Sequence, residues 1–259
     1  MNSPWIRYRM ARPQARLRLF CFPYAGGAAS IYLNWVRKMH PAIEICPIQL
    51  PGRQERIKES PVVRMNTMVH QLEQALLPYL DVPFAFFGHS MGALLAFEFT
   101  RQLRRNHNML PERLFLSGRR APQIEFDDDP IYMLPDAEFL KEIRSFEGTP
   151  DAVINNDELM QFVLPYLRAD FELCETYRYE DEGPLDCALT VFCGVNDKAA
   201  PPISMELWSK LTSAEYDLIR FPGGHFFLHD HEDELRTKVE QLMLSPAKTE
   251  TRSRAARTL

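Results

Sequence analysis

One serine stands between two glycines in Gly88-His89-Ser90-Met91-Gly92, a G-x-S-x-G pattern inside the apolar stretch FFGHSMGALLAFEF. A serine hydroxyl is a weak nucleophile near neutral pH. It attacks a carbonyl only with a base beside it and a third group that orients the base. The surroundings of Ser90 suit that use. An apolar run ends at Phe87, and a helix-spaced apolar face (Met91, Leu94, Leu95, Phe99, Leu103) follows at once. A strand turning so sharply into a helix strains the serine backbone, and flanking glycines remove the Cβ atoms that would clash. The hydroxyl then lies at a helix N-terminus, whose free N–H groups can hold an oxyanion.

In a site of this kind the partners follow in the order serine, acid, histidine. Asp197 stands in GVNDKAAPP, directly after the apolar run ALTVFCG. Asp186 competes, but it precedes that run and so falls at the opposite edge of a sheet. His225 follows Gly223 and Gly224, just past EYDLIRF. His229 and His231 lie further on, in HDHEDEL, which reads as the charged start of a last helix. His225 and His229 are spaced i, i+4, as metal ligands can be, but no H-E-x-x-H motif is present and no metal is expected. His89 is expected to pack beside the turn. An oxyanion hole needs two fixed donors. The Met91 backbone N–H is one. The loop FPYAGGAAS (Phe22 to Ser30) supplies the other, with the Ala25 N–H first and Gly26 second.

These residues need a scaffold that brings strand ends together. Short apolar runs recur at Leu17 to Phe22, Ile43 to Leu50, Phe84 to Phe87, Arg113 to Gly118, Ala188 to Gly194 and Glu215 to Phe221. Nearly continuous runs of this length suit strands buried on both faces. Helix-spaced faces lie between them: Met68, Leu72, Ala75 and Leu76, then the face after Ser90, then Leu235, Val239 and Leu242. The alternation predicts an α/β fold with a mostly parallel sheet flanked by helices. From Ala121 to Pro184 no strand is evident. PDAEFLKEIRSF reads as a helix capped by Asp136, and a second helix follows, broken or kinked at Pro165. Residues 121–184 thus read as a helical lid inserted into a discontinuous core of 1–120 and 185–245, with 246–259 as a disordered tail.

Composition sets the outer bounds. The chain has 259 residues, 46% of them hydrophobic, enough for one substantial core. A net charge of −5 argues against nucleic-acid binding as the main task. Local basic bias lies at the two ends, in Arg7, Arg9, Arg12, Arg16 and Arg18 and in Lys248, Arg252, Arg254 and Arg257, both expected to be solvated. Five cysteines without a C-x-x-C pair fit a reducing, cytoplasmic setting. Neither a membrane span nor a secretion signal is expected.

With those residues in place the chain resembles the free-standing type II thioesterases of nonribosomal peptide and polyketide synthases. The resemblance runs from about Leu17 to Leu244. It rests on FPYAGG, LPGRQER (Leu50 to Arg56), GHSMGA, LFLSGRRAP (Leu114 to Pro122), LRADFELCETYRY (Leu167 to Tyr179) and GGHFFL (Gly223 to Leu228). It implies an α/β-hydrolase fold with an inserted helical lid and removal of stalled or mis-primed acyl groups from the phosphopantetheine arm of carrier proteins. It also implies Ser90, Asp197 and His225 as the triad, and Met91 and Ala25 as the oxyanion donors. No cofactor is expected beyond the arm carried by the substrate. Tyr24 stands where such proteins often have histidine. Phe139, Phe146 and Phe162 are candidates for limiting acyl size from the lid. Alternative functions are a medium-chain release thioesterase of a fatty acid synthase, a general serine ester hydrolase, a chain-terminating thioesterase and a non-catalytic carrier-binding protein.

Overall fold

Each crossover between successive strands carries at least one helix, so every strand pair can run parallel. The computed structural model describes residues 3–124, 129–145 and 157–245. Six strands, β1 (Leu17–Phe22), β2 (Ile43–Pro47), β3 (Phe84–His89), β4 (Arg113–Ser117), β5 (Ala188–Gly194) and β6 (Tyr216–Phe221), form one sheet in the order β2-β1-β3-β4-β5-β6. All five pairings are parallel. The helices described are α1 (Leu33–Lys38), α2 (Met65–Leu76), α3 (Met91–His107), α4 (Asp136–Ser145), α5 (Asp157–Glu175), α6 (Pro202–Glu206), α7 (Phe227–Asp230) and α8 (Glu232–Leu244).

Strands β1 to β5 are largely buried on both faces, while the edge strand β6 is buried only at Phe221, and side chains alternate between two cores. Phe20, Phe22 and Phe86 pack with Met68, Leu72, Leu94 and Phe99 of α2 and α3. Leu19, Cys21, Ala85 and Phe87 pack on the other side with Trp35, Val36, Leu235 and Val239 of α1 and α8. The period of two along each strand thus sorts residues to opposite faces. Register brings the carboxyl ends level: His89 lies opposite Ser117, Ser117 opposite Phe192, and Gly194 opposite Phe221. Strand order reverses at β1, which pairs with β2 on one side and β3 on the other. Open α/β sheets place ligands at the carboxyl end of such a switch point.

Between β4 and β5 no strand occurs among the described residues. The helices there have a small core of their own, Phe139, Ile143 and Leu167, flanked by Val163, Leu164 and Phe171. Two local expectations change. Asp136 is the first residue of α4 rather than its cap, and its carboxylate instead accepts a hydrogen bond from Arg168 at 2.6 Å. Helix α5 continues through Pro165 as one element.

Of the N-terminal arginines, Arg16 is exposed as expected, but Arg9, Arg12 and Arg18 are half-buried rather than solvated. Arg9 and Arg18 both pair with Glu44, at 2.9 and 2.8 Å, and Arg12 donates to the carbonyls of Val36, Met39, His40 and Ile43. These contacts tie the segment before β1 to the edge of the sheet. The expected tail, 246–259, lies outside the described residues. Among the described residues no helix is long and apolar enough to cross a membrane.

Candidate active site

Ser90 sits between β3 and α3 with φ 53° and ψ −114°, left-handed backbone that a non-glycine residue adopts only under constraint. The constraint comes from close packing. A Cβ on Gly88 would lie 2.0 Å from the Gly92 carbonyl oxygen, and one on Gly92 would lie 2.2 Å from the Phe22 carbonyl oxygen. The two glycines let β3, α3 and the loop after β1 meet at the serine. The Ser90 N–H donates to the Ser117 carbonyl at 2.8 Å, which anchors the turn to β4.

Asp197 and His225 come together across the ends of β5 and β6. The Val195 N–H donates to Phe221 O at 2.9 Å and the Asn196 N–H to Gly223 O at 3.0 Å, which holds the two loops side by side. Asp197 is buried, and its Oδ1 accepts the N–H groups of Ala199 and Ala200, both at 2.9 Å. Its Oδ2 lies 2.8 Å from His225 Nδ1. A carboxylate at that position requires the proton on Nδ1, which leaves Nε2 as the basic nitrogen. His225 and Ser90 line one cavity of about 450 Å³, together with Ala25 and Tyr24 from the loop after β1. Asp186 lies elsewhere, before β5, beside Ser213.

The rival histidines have other partners. His229, in the short helix α7, faces the Tyr24 hydroxyl at 3.1 Å, and His231 precedes α8 beside Glu234. The Tyr24 ring packs edge-on against His89, Phe226 and His229, and burial pushes its hydroxyl up to about 12. His89 is fully buried, its Nδ1 2.9 Å from Ser117 Oγ and its ring 5.1 Å from that of His225. Burial, with the nearby His225 and His229, pushes His89 well below its ordinary value of 6.5. His89 therefore stays neutral and adds no positive charge beside His225.

That shift has a consequence for stability. The unfolded chain takes up a proton on His89 near its ordinary value, whereas the folded chain refuses it until lower pH. Stability is then fully present above about pH 6.5 and falls as pH drops through the window below it. His229, also lowered by burial, acts in the same direction. Replacing His89 by glutamine should make the fall in thermal midpoint between about pH 7.5 and about pH 5.5 shallower than in the parent chain. Parallel curves for the two proteins would refute this.

Of the two donors expected from the loop after β1, Gly26 is already engaged: its N–H donates to Asp170 Oδ2 at 2.8 Å. That leaves Ala25 on the cavity wall, with Met91 immediately after Ser90 at the first turn of α3. The aromatic residues expected to limit the acyl chain are placed differently. Phe139 is fully buried inside the core between α4 and α5, with Phe171 at 5.6 Å and Arg168 over its ring. Phe162 is 64% exposed on the outer face of α5. Neither lines the cavity, and Phe146 lies outside the described residues. The cavity wall from this region is instead Ile131, Ile143, Leu167 and Phe171, joined by charged side chains including Arg119, Glu142, Glu175 and Lys198. The spacing Leu167, Phe171, Cys174 marks this face of α5, a signal present in the sequence but not distinguishable there from ordinary core.

All five cysteines are free thiols and buried. Burial pushes Cys46 and Cys187 up to about 12 and Cys174, on the cavity wall, up to about 11. At neutral pH almost none is thiolate. Maleimide should therefore leave turnover of the folded protein nearly intact while a serine-directed fluorophosphonate abolishes it. Rapid loss of activity on maleimide treatment would contradict this.

Comparison with known proteins agrees with the geometry. A family model described as a thioesterase domain matches residues 17–243. A Brevibacillus parabrevis protein named linear gramicidin dehydrogenase LgrE is 44% identical over 246 residues, covering 94% of each chain. The word dehydrogenase in that name has no counterpart in the family model. The gramicidin S biosynthesis protein GrsT of Aneurinibacillus migulanus is 41% identical over 247 residues, covering 94% of this chain and 96% of its own. The solved structure of the type II thioesterase BorB from the borrelidin biosynthetic cluster superposes with a TM-score of 0.83 at 33% identity, over 93% of this chain and 97% of that one. The sheet order, the strained serine and these matches share one explanation: the chain belongs to the thioesterase family, in its type II group, with the α/β-hydrolase fold.

Proposed function

We propose that this protein removes acyl groups from the phosphopantetheine arms of carrier proteins in a nonribosomal peptide or polyketide synthase, clearing stalled or mis-primed units. The observation that carries the reading is the 2.8 Å contact between Asp197 and His225 on a cavity shared with the strained Ser90. Ser90 Oγ attacks the thioester carbonyl as His225 Nε2 takes its proton. The Met91 and Ala25 N–H groups hold the developing oxyanion. The C–S bond breaks as His225 Nε2 passes its proton to the pantetheine sulfur, which leaves as the thiol; with a thiol pKa of about 8.5 it departs far more readily than an alkoxide. Water then gives its proton to the neutral His225 and attacks the acyl-serine; the ester bond breaks, His225 returns the proton to Ser90 Oγ, and the acid is released. Asp197 keeps His225 in the tautomer that this cycle needs and stabilises the imidazolium.

Residues 121–184 act as a lid in this account, because α4 and α5 supply one wall of the cavity. The partners are acyl- or peptidyl-carrier domains, and the compartment is the cytoplasm, where such synthases would present them. A second reading, release of medium-chain fatty acids, draws on the human medium-chain S-acyl fatty acid synthase thioesterase, 33% identical over 231 residues. The cavity favours the first. Glu175 lies on its wall, and burial raises that carboxyl above its usual range. Glu175 Oε2 already accepts the Tyr132 N–H at 3.0 Å, but a long, wholly apolar chain would strip the remaining water from Glu175, Arg119 and Lys198 with no polar group to replace it, which is costly. The test is to incubate the protein with carriers bearing acetyl, aminoacyl and medium-chain acyl groups and follow the acyl mass on the intact carrier. Faster unloading of short and polar groups is expected. Unloading confined to medium-chain groups would favour the second reading.

A further inference from the structure

Two sequence motifs, LPGRQER and LRADFELCETYRY, supply no member of the triad, yet the structure joins them. Arg53 and Asp170 form a two-pronged ion pair, with Nη1–Oδ2 and Nη2–Oδ1 both 2.7 Å, and each side chain is only 1% exposed. The Tyr166 ring lies 4.8 Å from the guanidinium centre. The same two residues also grip the loop after β1. Asp170 Oδ2 accepts the Gly26 N–H at 2.8 Å, and Arg53 Nη1 donates to the Gly27 carbonyl at 3.1 Å. Leu167, one turn before Asp170 on α5, packs onto Gly26 so closely that a Cβ there would lie 2.7 Å from its Cδ1.

A buried ion pair is a poor source of net stability, because an apolar pair of similar volume does as well or better. An apolar pair could not do what this one does to the loop. The peptide group between Ala25 and Gly26 is held by its N–H, and the carbonyl of Gly27 is held by the guanidinium. Both contacts lie directly after the amide assigned to the oxyanion, the nearer one on the next N–H along the chain. They also keep the Gly26 N–H turned away from the cavity and engaged.

We propose that Asp170 is a positioning residue for the oxyanion hole, with Arg53 as the partner that neutralises its carboxylate: anchored in α5, Asp170 holds the Gly26 N–H and fixes the loop after β1 so that the Ala25 N–H is preorganised. The proposal rests on the reading of Ser90 and Ala25 given above. It predicts that what matters for turnover is the acceptor on Gly26, not the buried charge. Removing an oxyanion donor costs about 10²–10³ in kcat, and misplacing one costs a share of that.

The experiment compares two double variants on a small acyl thioester that needs no carrier docking. Arg53→Met/Asp170→Asn removes both charges and keeps an oxygen for Gly26. Arg53→Met/Asp170→Leu removes both charges and the acceptor. The asparagine double should stay within about tenfold of the parent kcat, and the leucine double should fall about 100-fold, with KM changed less than about twofold in either. Equal kcat for the two doubles, or a loss carried by KM, overturns the proposal. If the leucine double does not fold, the asparagine double decides alone: folded, with kcat reduced more than about 100-fold, it also overturns the proposal. Ser90→Ala in the same assay separates the two failures. An active Ser90→Ala variant sinks the serine reading and this proposal with it, whereas an inactive one beside equal doubles sinks this proposal alone.

Discussion

Ser90→Ala should fold like the parent chain and lose about six orders of magnitude in kcat, as removal of the nucleophile does in a comparable triad. The fold should survive because the change deletes one oxygen. The strained turn is held by backbone, through Gly88 and Gly92 in close packing and the Ser90 N–H on the Ser117 carbonyl, and alanine keeps all of these. The chemistry cannot survive, since no other nucleophile takes its place: every cysteine is buried. The measurement is kcat on an acyl thioester beside a thermal midpoint. A midpoint within a few degrees and turnover near the assay floor are expected. Turnover within about tenfold of the parent would remove Ser90 from the mechanism.

Asp197→Asn should cost about 10⁴ in kcat with little change in stability. The reason lies in how the carboxylate is held. Asp197 Oδ1 accepts two backbone N–H groups, from Ala199 and Ala200, and Oδ2 faces His225 Nδ1. An asparagine keeps its oxygen toward the two amides, because its NH₂ group cannot accept from them. The NH₂ then points at His225 and donates to Nδ1. That forces the imidazole proton onto Nε2, the atom that should receive the serine proton. The ring stays in place in the wrong tautomer. Measuring kcat and the thermal midpoint together checks this. A loss below about tenfold would mean that His225 needs no such orienter.

Much of this molecule was legible from residue order. Five parallel strands are largely buried on both faces and read as short apolar runs, and the edge strand β6 reads as one as well, so all six could be placed, and with them the loops that follow each carboxyl end. Ser90, Asp197 and His225 stand out because level strand ends bring those loops together whatever the intervening chain does. The Arg53–Asp170 pair was not legible. Its members are 117 residues apart, and Asp170 lies within a helix whose apolar pattern is ordinary. Its meaning depends on a third segment, the loop at Gly26, that neither motif contains. Arg9 and Arg18 misled for a similar reason. Their partner, Glu44, is a charged residue inside β2, buried at the sheet edge, and a local reading sees only a basic stretch. Phe139 and Phe162 show the limit of helical spacing. It shows that a helix has an apolar face, but not whether a given residue meets a neighbouring helix, solvent or a cavity.

The account stands on a covalent acyl group carried by Ser90 between loss of the thiol and entry of water. The most direct measurement is to mix the protein with an acyl-loaded carrier, quench in acid within the first turnover, digest and weigh the peptides. The acyl mass should appear on the peptide containing Ser90, transiently in the parent chain and not at all in Ser90→Ala. Steady release of acid with no acyl mass on Ser90 at any quench time, or with the mass on another residue, would contradict it.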